Sequence, residues 1–219
     1  DVPSDFHPDL VLAAFPERED VRDVLVTKNN ESWKDLKEGS VIGTSSPARK
    51  EQLKLLRPDF LFKDIRGNVD TRVQKVMDGN YDATILAAAG LKRLAYKIES
   101  ESYFSLDEAV PSPGQGTLVV QAHKNNAEVL GILKQINNKQ IEKQVNAERR
   151  FMQIIGGGCR FPVAAHAEIE GESVIFRAIA QKPEWEKLEK VKFETTTNKL
   201  FNDAEWLASA ILNRNAKSY

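Results

Sequence analysis

Residues 156–159 read Gly-Gly-Gly-Cys, and Cys159 is the only cysteine among 219 residues. A lone thiol cannot close an internal disulfide. The glycines leave the backbone open, so a bulky group can approach the sulfur closely. Thiolate is among the strongest nucleophiles a protein carries, which suits a covalent attachment point. The competing reading is a small buried hydrophobe beside a turn, and for an isolated cysteine that reading is the commoner one.

Three further segments carry groups that bind anions. Arg66-Gly-Asn-Val-Asp-Thr-Arg72 falls where a strand passes into a helix, with Arg66 at the strand's end and Arg72 in the first helical turns. Ligands of open parallel sheets collect at the carboxyl ends of strands. A helix N-terminus adds unpaired N–H donors and partial positive charge. Arginine adds a planar fork matched to carboxylate or phosphate. The alternative is that these arginines pair with Asp64 and Asp70 on the surface. Gly43-Thr-Ser-Ser46, followed by Arg49 and Lys50, repeats the arrangement, and Ala89-Gly-Leu-Lys-Arg93 repeats it again. Three such strand ends suit one cleft for a polyanionic ligand. Neither GxxxxGK[ST] nor GxGxxG occurs, which excludes a P-loop and argues against a dinucleotide site. His7, His123 and His166 lack metal-ligand spacing and read as structural or solvated, so no metal is expected.

The elements that must position these residues follow from periodicity. Leu10 to Phe15, Asp23 to Thr27, Val41 to Ser45, Phe60 to Ile65 and Ala83 to Ala88 are expected strands. Ser46 before Pro47 is an N-cap followed by proline at the first helical position, so a helix runs from there to about Arg57. Val69, Val73, Val76 and Met77 have helical spacing, and Gly79 ends that helix. Strands alternating with helices predict a parallel α/β sheet over roughly 20–110. Pro111-Ser-Pro-Gly-Gln-Gly116 reads as a hinge loop. A strand at Thr117 to Ala122, a helix at Ala127 to Ile136 and a longer helix through Ile141, Val145, Met152 and Ile155, ending at Gly156, come next. Strands at Val163 to Ile169, Val174 to Ala180 and Leu188 to Thr195, with a helix at Ala204 to Leu212, predict a small α+β tail.

Bulk properties bound the rest. The chain holds 31 basic and 32 acidic side chains, for a formal charge of −1, so any affinity for anions must come from local clustering. One cysteine suits a reducing compartment, and no apolar run approaches the ~20 residues that span a bilayer. These features predict a cytoplasmic protein with no membrane or nucleic-acid partner.

Taken together the motifs resemble the porphobilinogen deaminase (hydroxymethylbilane synthase) family. The matching features are Asp1-Val-Pro3, Glu17-Arg-Glu-Asp20, Gly43-Thr-Ser-Ser46, Arg66-Gly-Asn-Val-Asp-Thr-Arg72, Ala89-Gly-Leu-Lys-Arg-Leu94, Gly114-Gln-Gly116, Ala147-Glu-Arg149 and Gly157-Gly-Cys159, in the family's order. The resemblance implies a three-domain α/β enzyme. Two domains resemble type II periplasmic binding proteins, the first incomplete here (1–19 and 112–137) and the second at 20–111. A C-terminal α+β domain at 138–219 carries the cysteine. It implies a transferase of tetrapyrrole (haem) biosynthesis that joins four porphobilinogen molecules head to tail, releasing ammonia and yielding hydroxymethylbilane. It further implies a dipyrromethane cofactor held by a thioether to Cys159. Asp1 would be the catalytic carboxylate. Thr44, Ser46, Arg49, Arg66 and Arg72 would contact the cofactor, and Arg93, Gln115 and Arg72 the substrate. Arg22 and Lys92 read as solvated, and Arg18 fits either role. The complete enzyme is expected to be a monomer.

The chain departs from the family pattern in two places. Family members carry a further strand-helix segment and a lysine before the aspartate, so this exact chain, purified alone, is expected to show no deaminase activity. An α-ammonium group at Asp1 would also compete for that carboxylate. The family's Leu-Arg-Arg after the serines is here Pro47-Ala48-Arg49. One carboxylate contact is thereby lost unless Lys50, a point charge without a fork, replaces it. A non-catalytic binding domain for small organic anions would use the same cleft without needing Cys159 or Asp1, and an inactive remnant would use neither.

Overall fold

The computed structural model describes residues 7–156 and 160–216. Asp1 and Cys159 lie outside the described residues. Among the described residues the strands form three separate sheets.

The largest sheet holds β2 (Asp23–Thr27), β3 (Val41–Gly43), β4 (Leu61–Lys63) and β5 (Ala83–Ala87) in the order β2-β5-β3-β4. The apolar run of β5 makes it a central strand, as a strand covered on both faces requires. Leu25, Ile42 and Ile85 face a core shared with Leu53 of α1 (Pro47–Leu56). Val24 and Leu86 face the opposite core, shared with Val73 of α2 (Val69–Met77) and Leu91 of α3 (Ala88–Arg93). Strand periodicity thus sends neighbouring residues to opposite helical layers.

One expectation is corrected. β3 runs parallel to β4 and β5, but β2 is antiparallel to β5. A parallel return needs a crossover, usually helical. The connection 28–40 contains turns and no helix, so the chain starts β3 at the end where β2 finished.

β1 (Leu10–Ala14) and β6 (Val120–His123) pair antiparallel, with Leu10 opposite His123 and Ala14 opposite Val120. α4 (Ala127–Leu133) lies against this pair without burying any of its own residues. Leu118, Ile132 and Ile136 are exposed beside it.

The tail is the expected α+β unit. β7 (Val163–Glu170), β8 (Ser173–Ala180) and β9 (Glu189–Thr196) form an antiparallel meander. One face packs on α5 (Lys139–Ile155) and α6 (Leu200–Ala216), with Phe151, Phe176 and Ile211 at the centre. α6 begins four residues before the expected Ala204, because Leu200 already belongs to the core.

The two large units share a seam. Ala48 of α1 and Val110 pack with Ala164 of β7 and Ile179 of β8. The Gln52 amide pairs with both backbone groups of Val110 at 2.7 and 3.1 Å. On the rim Asp107 accepts from Arg177 Nε at 2.7 Å and Lys192 Nζ at 2.9 Å.

Candidate functional site

β3, β4 and β5 all point their carboxyl ends to the same side, and the three anion motifs follow them. Thr44–Ser46 leaves β3 and opens α1. Ser46 caps α1 by accepting from Arg49 N at 3.4 Å, with Pro47 in the first turn. The Ser45 hydroxyl donates to Ile65 O at 2.9 Å and accepts from Ile65 N at 3.1 Å, which fixes the ends of β3 and β4 together. Asn68 caps α2 through Thr71 N at 2.9 Å. Gly67 holds φ 120°, and a Cβ there would lie 2.7 Å from Thr71 Cγ2, so only glycine fits this turn.

A cleft of about 450 Å³ opens at this point. One wall is Thr44, Ser45, Ser46, Lys50 and Asp64. The other is Arg160, Phe161, Pro162, Gln181 and Lys182 of the tail. Arg160 directly follows Cys159 in the chain. Hydroxyls, a helix N-terminus and the cations Lys50, Arg160 and Lys182 therefore meet in one cleft, with the carboxylates of Glu51 and Asp64 on its rim. This donor set fits a polycarboxylate.

The remaining predicted residues are placed differently. Arg49 turns toward β2. Its Nε and Nη2 grip Asp23 at 3.0 and 2.7 Å, and Nη2 also reaches Gln115 Oε1 at 3.3 Å. The Gln115 amide donates to Val21 O at 2.7 Å and Asp23 Oδ1 at 2.8 Å. Arg72 donates Nε to Gly67 O at 2.8 Å. Its pKa is pushed down by burial first and by the Arg49 charge second, which places the two guanidinium groups in each other's field. Arg66 and Arg93 are exposed at the same end of the sheet. Arg22 pairs with Asp20 and lies 4.1 Å over the Tyr103 ring, and Lys92 pairs with Glu19.

Ala48 does not line the cleft. It is 5 % exposed and packs in the apolar seam against Val110, Ala164 and Ile179. Restoring the family's arginine, Ala48→Arg, is therefore expected to cost about 1–3 kcal/mol of stability through overpacking. Chemical denaturation beside ligand titration checks this. Unchanged stability with tighter anion binding would show that the side chain reaches the cleft instead.

Two site-linking residues escaped sequence reasoning. Asp23 looked like the start of a strand. Glu148 belonged to a quoted motif but had no assigned role. Glu148 is fully buried and accepts from Arg18 Nη1 and Nη2 at 2.7 and 2.9 Å, Gly114 N at 2.7 Å and Ala167 N at 3.0 Å. His166 Nδ1 lies 3.1 Å away. Burial alone would raise its pKa. The Arg18 charge, then the hydrogen bond and charge of His166, outweigh this and hold the carboxyl at about 2. Arg18 Nε also donates to Gln115 O at 2.9 Å. A continuous polar chain thus runs from α5, through the 111–116 loop, to Arg49. Among the described residues no group of three or more His, Cys, Asp or Glu is placed to hold a metal ion. No described helix is long and apolar enough to cross a membrane.

An α/β unit and an α+β unit facing each other across a cation-lined cleft define the class of protein. Comparison with known sequences agrees. The family model described as porphobilinogen deaminase, dipyromethane cofactor binding domain, matches residues 1–131, and that of the porphobilinogen deaminase C-terminal domain matches residues 142–213. A porphobilinogen deaminase of Geobacillus kaustophilus is 43 % identical over 191 residues, covering 87 % of this chain and 62 % of the relative. One from Roseiflexus sp. is 43 % identical over 179 residues, covering 82 % and 59 %. One from Campylobacter hominis is 40 % identical over 219 residues, covering 99 % and 70 %. The chain belongs to the porphobilinogen deaminase family, and it spans 59 to 70 % of the length of these relatives.

Proposed function

We propose that this chain supplies the cofactor-bearing part of a hydroxymethylbilane synthase, the transferase that joins four porphobilinogen molecules head to tail with release of ammonia. The observation that carries the reading is the cleft itself. Hydroxyls, a helix N-terminus and cations meet there beside the residue that follows the sole cysteine. Cys159 would hold a dipyrromethane cofactor through a thioether. That cofactor supplies, when bound, a primer to which substrate is joined. Thr44 and Ser46 would bind cofactor carboxylates in the cleft, with Arg49, Arg66 and Arg72 at the adjoining strand ends. Arg93, Gln115 and Arg72 would orient the substrate's acetate and propionate groups. Asp1 would be the carboxylate that stabilises the cation left by ammonia loss and takes up the pyrrole proton.

In domain terms, 20–111 and 138–219 would form the second and third units. The pair β1–β6 with α4 (1–19 and 112–137) would be part of a first unit of periplasmic-binding-protein type. A two-stranded sheet with exposed apolar neighbours is marginal alone, which supports this division. The complete enzyme would act as a cytoplasmic monomer on a small molecule, without membrane or nucleic-acid partners.

Intact mass spectrometry of the protein as its gene encodes it tests the reading. An adduct of about two pyrrole units on Cys159 is expected. A bare thiol in freshly purified protein would overturn it.

A further inference from the structure

Asp23 is 1 % exposed, and a buried carboxylate is costly unless it is paired. Its oxygens are used as acceptors from Arg49 Nε and Nη2 and from Gln115 Nε2. An apolar pair of similar volume would serve stability about as well, so a buried ion pair calls for another reason. The geometry of Arg49 offers one. The Nε/Nη2 edge of its fork is committed to Asp23, and Nη2 has a further partner in Gln115 Oε1. Nη1 has only a long contact, 3.4 Å, to Ile85 O. Arg49 keeps 14 % of its side chain exposed. Arg72, with one backbone bond and no carboxylate partner among the described residues, stands in the field of the Arg49 charge.

We infer that Asp23 is the positioning residue of this anion site: it clamps one edge of the Arg49 guanidinium, so that a ligand carboxylate meets the Nη1 corner rather than the whole fork. Gln115 is the second half of the clamp, because its amide fixes Asp23 and Arg49 together. The inference rests on the proposed function, and it assigns Asp23 no contact with the ligand. Its effect must therefore pass entirely through Arg49.

The test uses the protein as its gene encodes it, with porphobilinogen as the probe, and variants Asp23→Asn, Arg49→Lys and the double variant. Asp23→Asn is expected to raise KM about tenfold while kcat changes by less than about threefold. In the Arg49→Lys background the same change should alter KM by less than about twofold, because the clamp then has no fork to hold. A purely structural Asp23 would lower Tm but leave KM of the folded enzyme unmoved, and that result overturns the inference. Losses that multiply in the double variant also overturn it. Should Asp23→Asn fail to fold, Asp23→Glu, which keeps the charge but moves the carboxylate off the Arg49 fork, decides the matter in the same cycle. A KM rise that vanishes with Arg49→Lys supports the clamp, and a rise that persists overturns it. A wild-type protein that does not consume porphobilinogen overturns the proposed function instead, so the two failures are distinguishable.

Discussion

In the protein as its gene encodes it, replacing Cys159 by serine is expected to abolish the pyrrole adduct and to cut porphobilinogen turnover by at least about a thousandfold. Serine is nearly isosteric, so packing hardly changes. Its hydroxyl stays protonated at neutral pH and is a poor nucleophile unless a base is beside it. The described bases of the cleft are the carboxylates of Glu51 and Asp64, which are far too weak to deprotonate a serine hydroxyl. Without a tether, every addition becomes a bimolecular encounter between free pyrroles, and the proximity advantage disappears. The measurement pairs intact mass with turnover. Turnover within about tenfold of wild type would mean that the sulfur is not the anchor. α5 ends at Ile155, Gly156 turns with φ 79°, and Arg160 stands in the cleft wall.

The second large effect falls on stability. Glu148→Ala should destabilise the fold by about 3–5 kcal/mol, the usual consequence of orphaning one partner of a buried ion pair. Arg18 would keep its charge with only 5 % of its side chain exposed, and Gly114 N and Ala167 N would lose their acceptor. Against a typical total of about 5–15 kcal/mol, this threatens folding at growth temperature. Arg18→Met with Glu148→Leu should recover only part of the loss, since the two backbone donors stay unsatisfied. The pH dependence has a definite sign. The folded carboxyl titrates at about 2, below the ordinary 4.5, so its contribution is full above 4.5 and fades as pH falls toward 2. Denaturant titrations at pH 7 and pH 3 should therefore show the gap between wild type and Glu148→Ala narrowing at the lower pH. A gap that widens would show that the carboxylate is not the stabilising form.

Local signals were readable in the chain and long-range ones were not. Ser46-Pro47 set the start of α1, the valine spacing set α2, and Gly156 set the end of α5, because capping and periodicity act within a few residues. The direction of β2 was not readable, since it depends on a connection without a helix rather than on the strand's own residues. The anion motifs were found by type and spacing, yet which cations are free could not be. Arg49 and Arg18 look alike in sequence to Arg66 and Arg93. Their partners Asp23 and Glu148 lie 26 and 130 positions away, and only the folded chain brings them together. Ala48 likewise read as a missing ligand contact, because nothing local announces that its neighbours come from β7 and β8.

The pairing of β1 with β6 also bears on how the chain folds. Ala14 and Val120 stand side by side, so everything between them is an excursion that leaves and returns at one point. Closing so long a loop in a disordered chain is entropically expensive, and contacts of that separation slow the search for the native state. If the intervening sheet condenses first, its ends are already adjacent and the penalty largely vanishes. The two short strands should accordingly join late, after the excursion has become compact, and they should be the first to part when the protein is stressed.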